Sequence, residues 1–295
     1  MCGILGIYNL DLKAVDENVI VKMGNQISHR GPDGEGLFVQ KNIGFIHKRL
    51  AILDPSDKGL QPMHSKDGKW IVIFNGCIYN FKELRQELIE KGHTFNSESD
   101  TEVIVEGLSA YGTSFFERFN GMFAIGAWNR EEEKLYISRD RYGIKPVYYW
   151  FSGKTIVFAS EIKAIIKHPD YEMGVDLDAL NEYFTFQNIF SYNTLFKGVH
   201  MLPPANTVVV DCETKFVKHN SWWDYDFSKT KDAMSFDDAK KQTKELFEQA
   251  VTRQMVSDVP VGAYLSGGMD SGSIASVASK QVDRLSTFTC GFDMN

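Results

Sequence analysis

The sequence predicts an α+β chain in which antiparallel sheets are covered by helices, followed by the start of a parallel α/β domain. Three observations carry this. The first two-thirds is dense in short runs of aromatic and β-branched residues bounded by Gly, Asn, Asp or Lys. Only a few amphipathic helical stretches interrupt those runs. After about residue 200, a strand, a small-residue loop, a helix and a second strand follow in that order, which is the pattern of a parallel unit.

The strand runs, in order, are "CGILGIY", "KNIGFIH", "KWIVIF", "GMFAIGAW", "KLYISR", "PVYYW" and "TIVFAS". A helix is expected over "AVDENVIVKMGNQI", where Val15, Val19, Met23 and Ile27 form one stripe. "FKELRQELIEKG" stacks Leu84 on Leu88 and stops at Gly92. "SDTEVIVEGLSAYG" opens with a capping box, Ser99 to Glu102, and stops at Gly112. "MLPPANTVVVD" reads as a turn and a strand, and "WWDYDFSKTKDAM" as a linker. "SFDDAKKQTKELFEQAVTRQM" is a long helix capped by Ser235 and Asp238. "VPVGAYL" reads as a buried strand, "GGMDSGSIASVASK" as a loop entering a helix, and "LSTFTCGF" as a further strand. The expected domains are therefore 2–212, a linker 213–234, and 235–295.

At 43% hydrophobic residues, the chain can build a packed core. Thirty-two basic and 39 acidic residues leave a net charge of -7, no footprint for nucleic acid. No stretch approaches the ~18 apolar residues of a membrane span. The four cysteines, Cys2, Cys77, Cys212 and Cys290, lie far apart and form no zinc spacing, so no metal ligand set is expected. A reducing cytoplasm is the simplest compartment. "SGKT" at 152–155 lacks the leading glycine of a phosphate-binding Walker loop.

Cys2 follows Met1 directly. Once Met1 is removed, the terminus carries a thiol and an α-amine on one residue. An α-amine titrates near ~8, against ~10.4 for a lysine, so it is a base suited to neutral pH without tuning. Nucleophile and base in one residue is the economy of N-terminal nucleophile hydrolases.

Further stretches accompany Cys2: "HRGPDG" at 29–34, "HKRLAILD" at 47–54, "FNGCIYN" at 74–80, "SESDTE" with Asp100, and "SRDRYGIKPVYY" followed by "FASEIKAI". Singly each is ordinary; "NG" is most often a plain turn. Together, in this order and spacing, they resemble the class II glutamine amidotransferase domain, and within it the glutamine-dependent asparagine synthetase family. The resemblance covers essentially the whole chain.

It implies an N-terminal nucleophile hydrolase fold, with two antiparallel sheets sandwiched by helices. It also implies roles. Cys2 attacks the side-chain amide of glutamine, and its own amine shuttles the proton. Asn75 and the Gly76 N–H hold the oxyanion. Arg49 holds the α-carboxylate of glutamine, the backbone of Leu50, Ala51, Ile52 and Leu53 lines the pocket, and Asp100 holds the α-ammonium. Arg30 and Asp33 shape the pocket. The family usually carries a glutamate where this chain has Cys77. If that carboxylate holds the substrate ammonium, binding is weaker here; if only the backbone is used, nothing changes.

"LSGGMDS" at 265–271 sits between a strand and a helix. Successive small residues let N–H groups turn inward around phosphates at a helix N-terminus. The loop resembles that of ATP pyrophosphatases, which implies that Ser266, Gly267, Gly268, Asp270 and Ser271 hold pyrophosphate, with Mg2+, and that the backbone of Tyr264 and Leu265 faces adenine. Tyr264 stands where an aliphatic residue is expected. The resemblance then implies glutamine hydrolysis, internal passage of ammonia, and ATP-dependent adenylation of aspartate to give asparagine, AMP and pyrophosphate. A homodimer is compatible with this. The 235–295 stretch reads as only the N-terminal part of a synthetase domain, without acceptor-binding segments. Two alternatives stay open: a relative amidating another carboxylate, such as a sugar acid, and a glutamine-hydrolysing or glutamine-binding module without synthetase activity.

Overall fold

The computed structural model describes residues 1–228 and 234–291. The chain separates into two units, Met1–Asp224 and Tyr225–Asn295. The stretch 229–233 of the expected linker and the end of the expected second domain, 292–295, lie outside the described residues.

The first unit begins with β1 (Gly3–Asn9), helix α1 (Glu17–Gly24) and the antiparallel pair β2 (Gly34–Gln40) and β3 (Ile43–Arg49). The short β4 (Met63–His64) and long β5 (Trp70–Ile78) follow, then α2 (Phe81–Glu90) and α3 (Asp100–Tyr111). Next come β6 (Gly121–Asn129) with β7 (Lys134–Arg139), and β8 (Tyr148–Phe151) with β9 (Thr155–Ala159). Helices α4 (Ile162–Ile165) and α5 (Leu177–Phe186) precede β10 (Val199–Met201), β11 (Asn206–Asp211) and β12 (Phe216–Ser221).

These strands form two six-stranded sheets, ordered β10-β8-β9-β1-β3-β2 and β12-β11-β7-β6-β5-β4, with antiparallel neighbours throughout. Ile4, Tyr8, Phe45 and Phe158 of the first sheet pack against Ile71, Ile73, Ile137 and Val208 of the second, so the sheets lie face to face. The outer face of the first sheet is covered as well: Leu5, Ile7 and Ile46 pack with Ile20, Met23 and Ala164. Helix α3 lies against β5 and is buried from Asp100 to Leu108. Central strands buried on both faces read as continuous apolar runs rather than alternating ones, which is why "GILGIYN" is legible as a strand. This is the expected sandwich of two antiparallel sheets between helices.

Several local expectations are corrected. Helix α1 starts at Glu17, because Asp16 accepts the N–H groups of Asn18 and Val19 as its cap. Val15 is buried ahead of the helix, and Ile27 lies in a 3-10 segment, Asn25–Arg30. The capping box at α3 is half formed. Ser99 Oγ accepts the Thr101 N–H at 3.1 Å, but Glu102 accepts instead from the N–H groups of Asn96 and Ser97. Ser97 Oγ already takes the Ser99 N–H, so Glu102 is released to pin the preceding loop. The polar stretch after Cys212 is not linker at its start: β12 pairs along β11, and Trp222 stacks on Phe123 with centroids 6.0 Å apart. "SGKT" makes the β8–β9 turn, where Ser152 Oγ accepts the Thr155 N–H at 3.0 Å.

The second unit holds α6 (Phe236–Gln254), β13 (Gly262–Tyr264), α7 (Met269–Ala278) and β14 (Ser286–Phe288). Strands β13 and β14 pair in parallel around the crossover helix. The strand expected to be buried is not: Tyr264 is 86% exposed and Gly262 is exposed. Two strands present too little surface to bury one another, and among the described residues only α6 and α7 accompany them. No helix among the described residues is long and apolar enough to cross a membrane.

Candidate active site

Cys2 stands one residue ahead of β1, half-buried, with its sulfur turned to the loop after β3. The Leu50 N–H donates to Cys2 Sγ at 3.3 Å, and the Leu50 carbonyl lies 3.5 Å from the same sulfur. Burial raises the Cys2 thiol above its ordinary value, while the Leu50 N–H and the terminal ammonium pull it down. The terminal amine, here that of Met1, is lowered first by burial and then by the charges of Arg30 and Lys145. Arg30 Nε donates to the Cys2 carbonyl at 2.9 Å, and Arg30 is itself held by Glu161 at 3.0 Å.

The loop after β3 is organised from below by Arg49. Its buried guanidinium donates to the carbonyls of Ser56 (2.7 Å), Leu53 (3.4 Å) and Asp54. Gly59 makes this possible: a Cβ there would sit 2.2 Å from Arg49 Nη2. Asp33 Oδ2 accepts the Ala51 N–H at 2.9 Å. Arg49, expected as a substrate ligand, therefore spends three of its five N–H donors on its own loop and retains two. Ile52 is 40% exposed and Leu53 is half-buried in this loop.

Strand β5 brings a second set of groups. Phe74 and Ile78 send their N–H groups away from β6, to Gln61 Oε1 at 2.6 Å and Asp100 Oδ2 at 2.9 Å. Strand parity turns the Gly76 N–H, midway between them, toward the same edge. Only glycine fits there, because a Cβ would lie 2.1 Å from the Met122 carbonyl oxygen. Asn75 is 1% exposed, and its Nδ2 has no hydrogen-bond partner among the described residues. A buried amide with an unused donor is costly. Cys77, on the same face of β5 as Asn75, is buried, and its thiol is pushed up to about 12, chiefly by burial and then by Asp100. Asp100 opens α3, and burial pushes its carboxyl up to about 7 against the N–H groups of Ile78 and Thr101.

A fourth segment carries no role from the sequence. Asp140, fully buried, accepts N–H groups from Phe123, Tyr142, Ile144 and Lys145 and locks the loop after β7. That loop sets Lys145 with its Nζ 3.3 Å from Met1 Sδ. The stretch "SRDRYGIKPVYY" contains both residues; that Lys145 reaches the terminus is decided by the fold.

In the second unit the loop before α7 is closed by its own side chains. The Ser266 N–H donates to Ser271 Oγ at 3.2 Å, and Ser271 Oγ donates to the Gly268 carbonyl at 3.1 Å. Gly267 has φ +82°, and α7 has no side-chain cap at Gly268. Asp270 lies in the first turn. The Leu265 N–H donates to the Phe288 carbonyl at 2.9 Å, and its carbonyl accepts from Thr289 Oγ1, so the Leu265 backbone is already paired. No cluster of three His, Cys, Asp or Glu side chains suited to a metal ion occurs among the described residues.

The glutamine amidotransferase domain model matches residues 1–223. The chain belongs to the glutamine amidotransferase family. The asparagine synthase model matches 242–295, the stretch after this amidotransferase domain. Glutamine-hydrolyzing asparagine synthetase 3 of Bacillus subtilis is 36% identical over 100% of this chain and 49% of its own length. Putative glutamine-hydrolyzing asparagine synthetase 2 of Methanocaldococcus jannaschii is 35% identical over 99% of this chain and 60% of its own. The chain thus spans about half the length of two of the Bacillus relatives it matches, 49% and 46%. Among solved structures, glutamine phosphoribosylpyrophosphate amidotransferase from B. subtilis superposes with a TM-score of 0.56 at 16% identity, covering 98% of this chain and 65% of that one. At that identity the likeness is one of fold.

Proposed function

We propose that the Met1–Asp224 unit hydrolyses glutamine to glutamate and ammonia at Cys2 after removal of Met1, and that the second unit contributes the ATP-binding part of an asparagine-forming site. The unpartnered, buried Nδ2 of Asn75 carries the first half of this reading. With the Gly76 N–H it supplies two fixed donors of the kind a tetrahedral oxyanion requires, on a strand that lies against the one headed by Cys2. The Cys2 thiolate attacks the side-chain carbonyl carbon, and the α-amine carries the thiol proton to the leaving nitrogen. Ammonia departs, and water attacks the thioester with the amine again as base, releasing glutamate.

Arg49 holds the α-carboxylate with its two remaining donors, and the ionised Asp100 holds the α-ammonium, on this reading. Ammonia reaches the second site, where aspartate, activated by ATP as an acyl-adenylate, accepts it and releases AMP; pyrophosphate leaves in the activation step. The Ser266–Ser271 loop fits a pyrophosphate because α7 has no side-chain cap, and because the Ser266 and Ser271 hydroxyls, bonded here to each other and to the Gly268 carbonyl, can exchange those bonds for phosphate oxygens. Mg2+ fits too, since it needs only one or two carboxylates beside phosphate oxygens, and Asp270 supplies one. A reducing, cytoplasmic setting suits a nucleophilic thiol.

Cys2→Ala tests the reading. Glutaminase activity is expected to fall below about a hundredth of wild type with the thermal transition retained, as removing a nucleophile without touching the core requires. Intact mass of active protein is expected to show the loss of Met1. Activity in protein that keeps Met1, or residual turnover in Cys2→Ala, rejects the mechanism.

A further inference from the structure

Among the described residues, Lys145 is a cation without a strong acceptor. It is 6% exposed, and its ammonium donates to Met1 Sδ, a weak acceptor on the residue that maturation removes. Buried charges ordinarily sit against a carboxylate or several oxygens. The loop that carries it cannot easily withdraw: the Lys145 N–H is held by Asp140 Oδ2 at 3.0 Å and its carbonyl by Arg139 Nε at 2.8 Å. Beside it, Arg30, whose side chain is 9% exposed, keeps Nη2 buried with no acceptor among the described residues. Two buried cationic side chains therefore reach the terminus, Lys145 at Met1 Sδ and Arg30 at the Cys2 carbonyl.

We propose that Lys145 is a positioning residue of the nucleophile, its ammonium turning to mature Cys2 when Met1 is gone, keeping the terminal amine a free base able to take the thiol proton and stabilising the thiolate that this transfer leaves. This rests on the reading of Cys2 as nucleophile and its own amine as base. The charges already act in that direction. Lys145 and Arg30 lower the terminal amine, and Cys2, Asp140 and Cys77 in turn raise Lys145 against the lowering by its own burial. The groups facing the terminus from the surrounding elements are Asp140 on the Lys145 loop, Arg30 with Glu161, Asp33, Arg49, Asp100 on α3 and Cys77 on β5. Asp33 and Asp100 oppose the effect; Asp100 does so weakly near neutrality because its carboxyl titrates at about 7.

The test compares Lys145→Met and Lys145→Gln, which remove the charge, with Lys145→Arg, which keeps it. All are measured on the full chain with Met1 removal verified by mass. Glutaminase kcat/KM is followed from about pH 5.5 to 9, the range in which an amine base titrates. Both neutral variants are expected to move the acid limb up by about one pH unit, as loss of a nearby like charge requires, with the rate above the limb within a few fold of wild type. Lys145→Arg is expected to keep the wild-type limb. Alkylation of Cys2 by iodoacetamide, read by peptide mass, reports the thiol without turnover, and its pH midpoint is expected to rise in the same two variants. A uniform rate loss with limb and midpoint unmoved overturns the proposal. So does failure of both neutral variants to fold while Lys145→Arg folds, which assigns the charge to structure. Turnover surviving in Cys2→Ala rejects the nucleophile reading itself; turnover lost there, with the Lys145 limbs unmoved, rejects only the role of Lys145.

Discussion

The Leu50 N–H points at Cys2 Sγ from 3.3 Å, across forty-eight residues of chain. The contact joins the start of β1 to the loop leaving β3, two neighbouring strands paired from Gly3↔Lys48 onward. The loop that touches the sulfur is the one Arg49 pins by three carbonyls, so the orientation of the nucleophile depends on the packing of a guanidinium beneath it.

Gly59→Ala tests that dependence. The new methyl would overlap Arg49 Nη2, so the guanidinium must shift and release loop carbonyls. The KM for glutamine is expected to rise several-fold with a smaller change in kcat, measured by steady-state glutaminase assay. An unchanged KM would detach the loop from substrate binding.

Asn75→Ala removes the buried, unused donor. A loss of ~10²–10³ in kcat with little change in KM is expected, since the group acts where charge develops. Thermal unfolding is expected to change little, because Nδ2 makes no hydrogen bond within the described protein.

Asp100 predicts a pH dependence. Its carboxyl is raised from 3.8 to about 7 by burial, so the folded state binds the proton more tightly than the unfolded one. The stability this contributes is full below about pH 4 and is lost as pH rises through 7. Asp100→Asn is expected to flatten the melting temperature between about pH 4 and 7 relative to wild type, read by thermal denaturation. If the ionised carboxylate holds the α-ammonium, the wild-type KM for glutamine rises as pH falls below about 7, and Asp100→Asn abolishes that rise.

The boundary of the first unit is open to a truncation pair. A chain ending after Asp224 keeps β12 and the stacking of Trp222 on Phe123; one ending after Cys212 loses both. The shorter chain is expected to melt lower by roughly 5 °C or more, as loss of a strand's pairing and a buried ring implies. Equal melting temperatures would place the boundary at 212.

Strand runs such as "GILGIY" and "WIVIF" are readable because burial on both faces makes them apolar, a property of the residues themselves; the continuation of the second through Asn75 and Gly76 to Ile78 is not. The same holds for helices marked by local caps, since a cap reaches only a few residues. Strand β12 was not readable: "FVKHNS" is polar and becomes a strand only because β11 offers it an edge. Nor was the exposure of β13, since the apolar pattern of "VPVGAYL" specifies a strand but not the layer that would cover it.

At the site, the sequence alone determined the residue types: a thiol and an amine on one residue, an Asn-Gly pair, an arginine ahead of the apolar stretch Leu50–Leu53, a carboxylate at a helix start. Tertiary structure decided what each one touches. It set Arg49 to work on its own loop, left Asn75 Nδ2 without a partner, paired the Leu50 amide with the Cys2 sulfur, and brought Lys145 to the terminus. The physical reason is that hydrogen-bond partners and local dielectric are made by segments distant in the chain, and no local pattern encodes them.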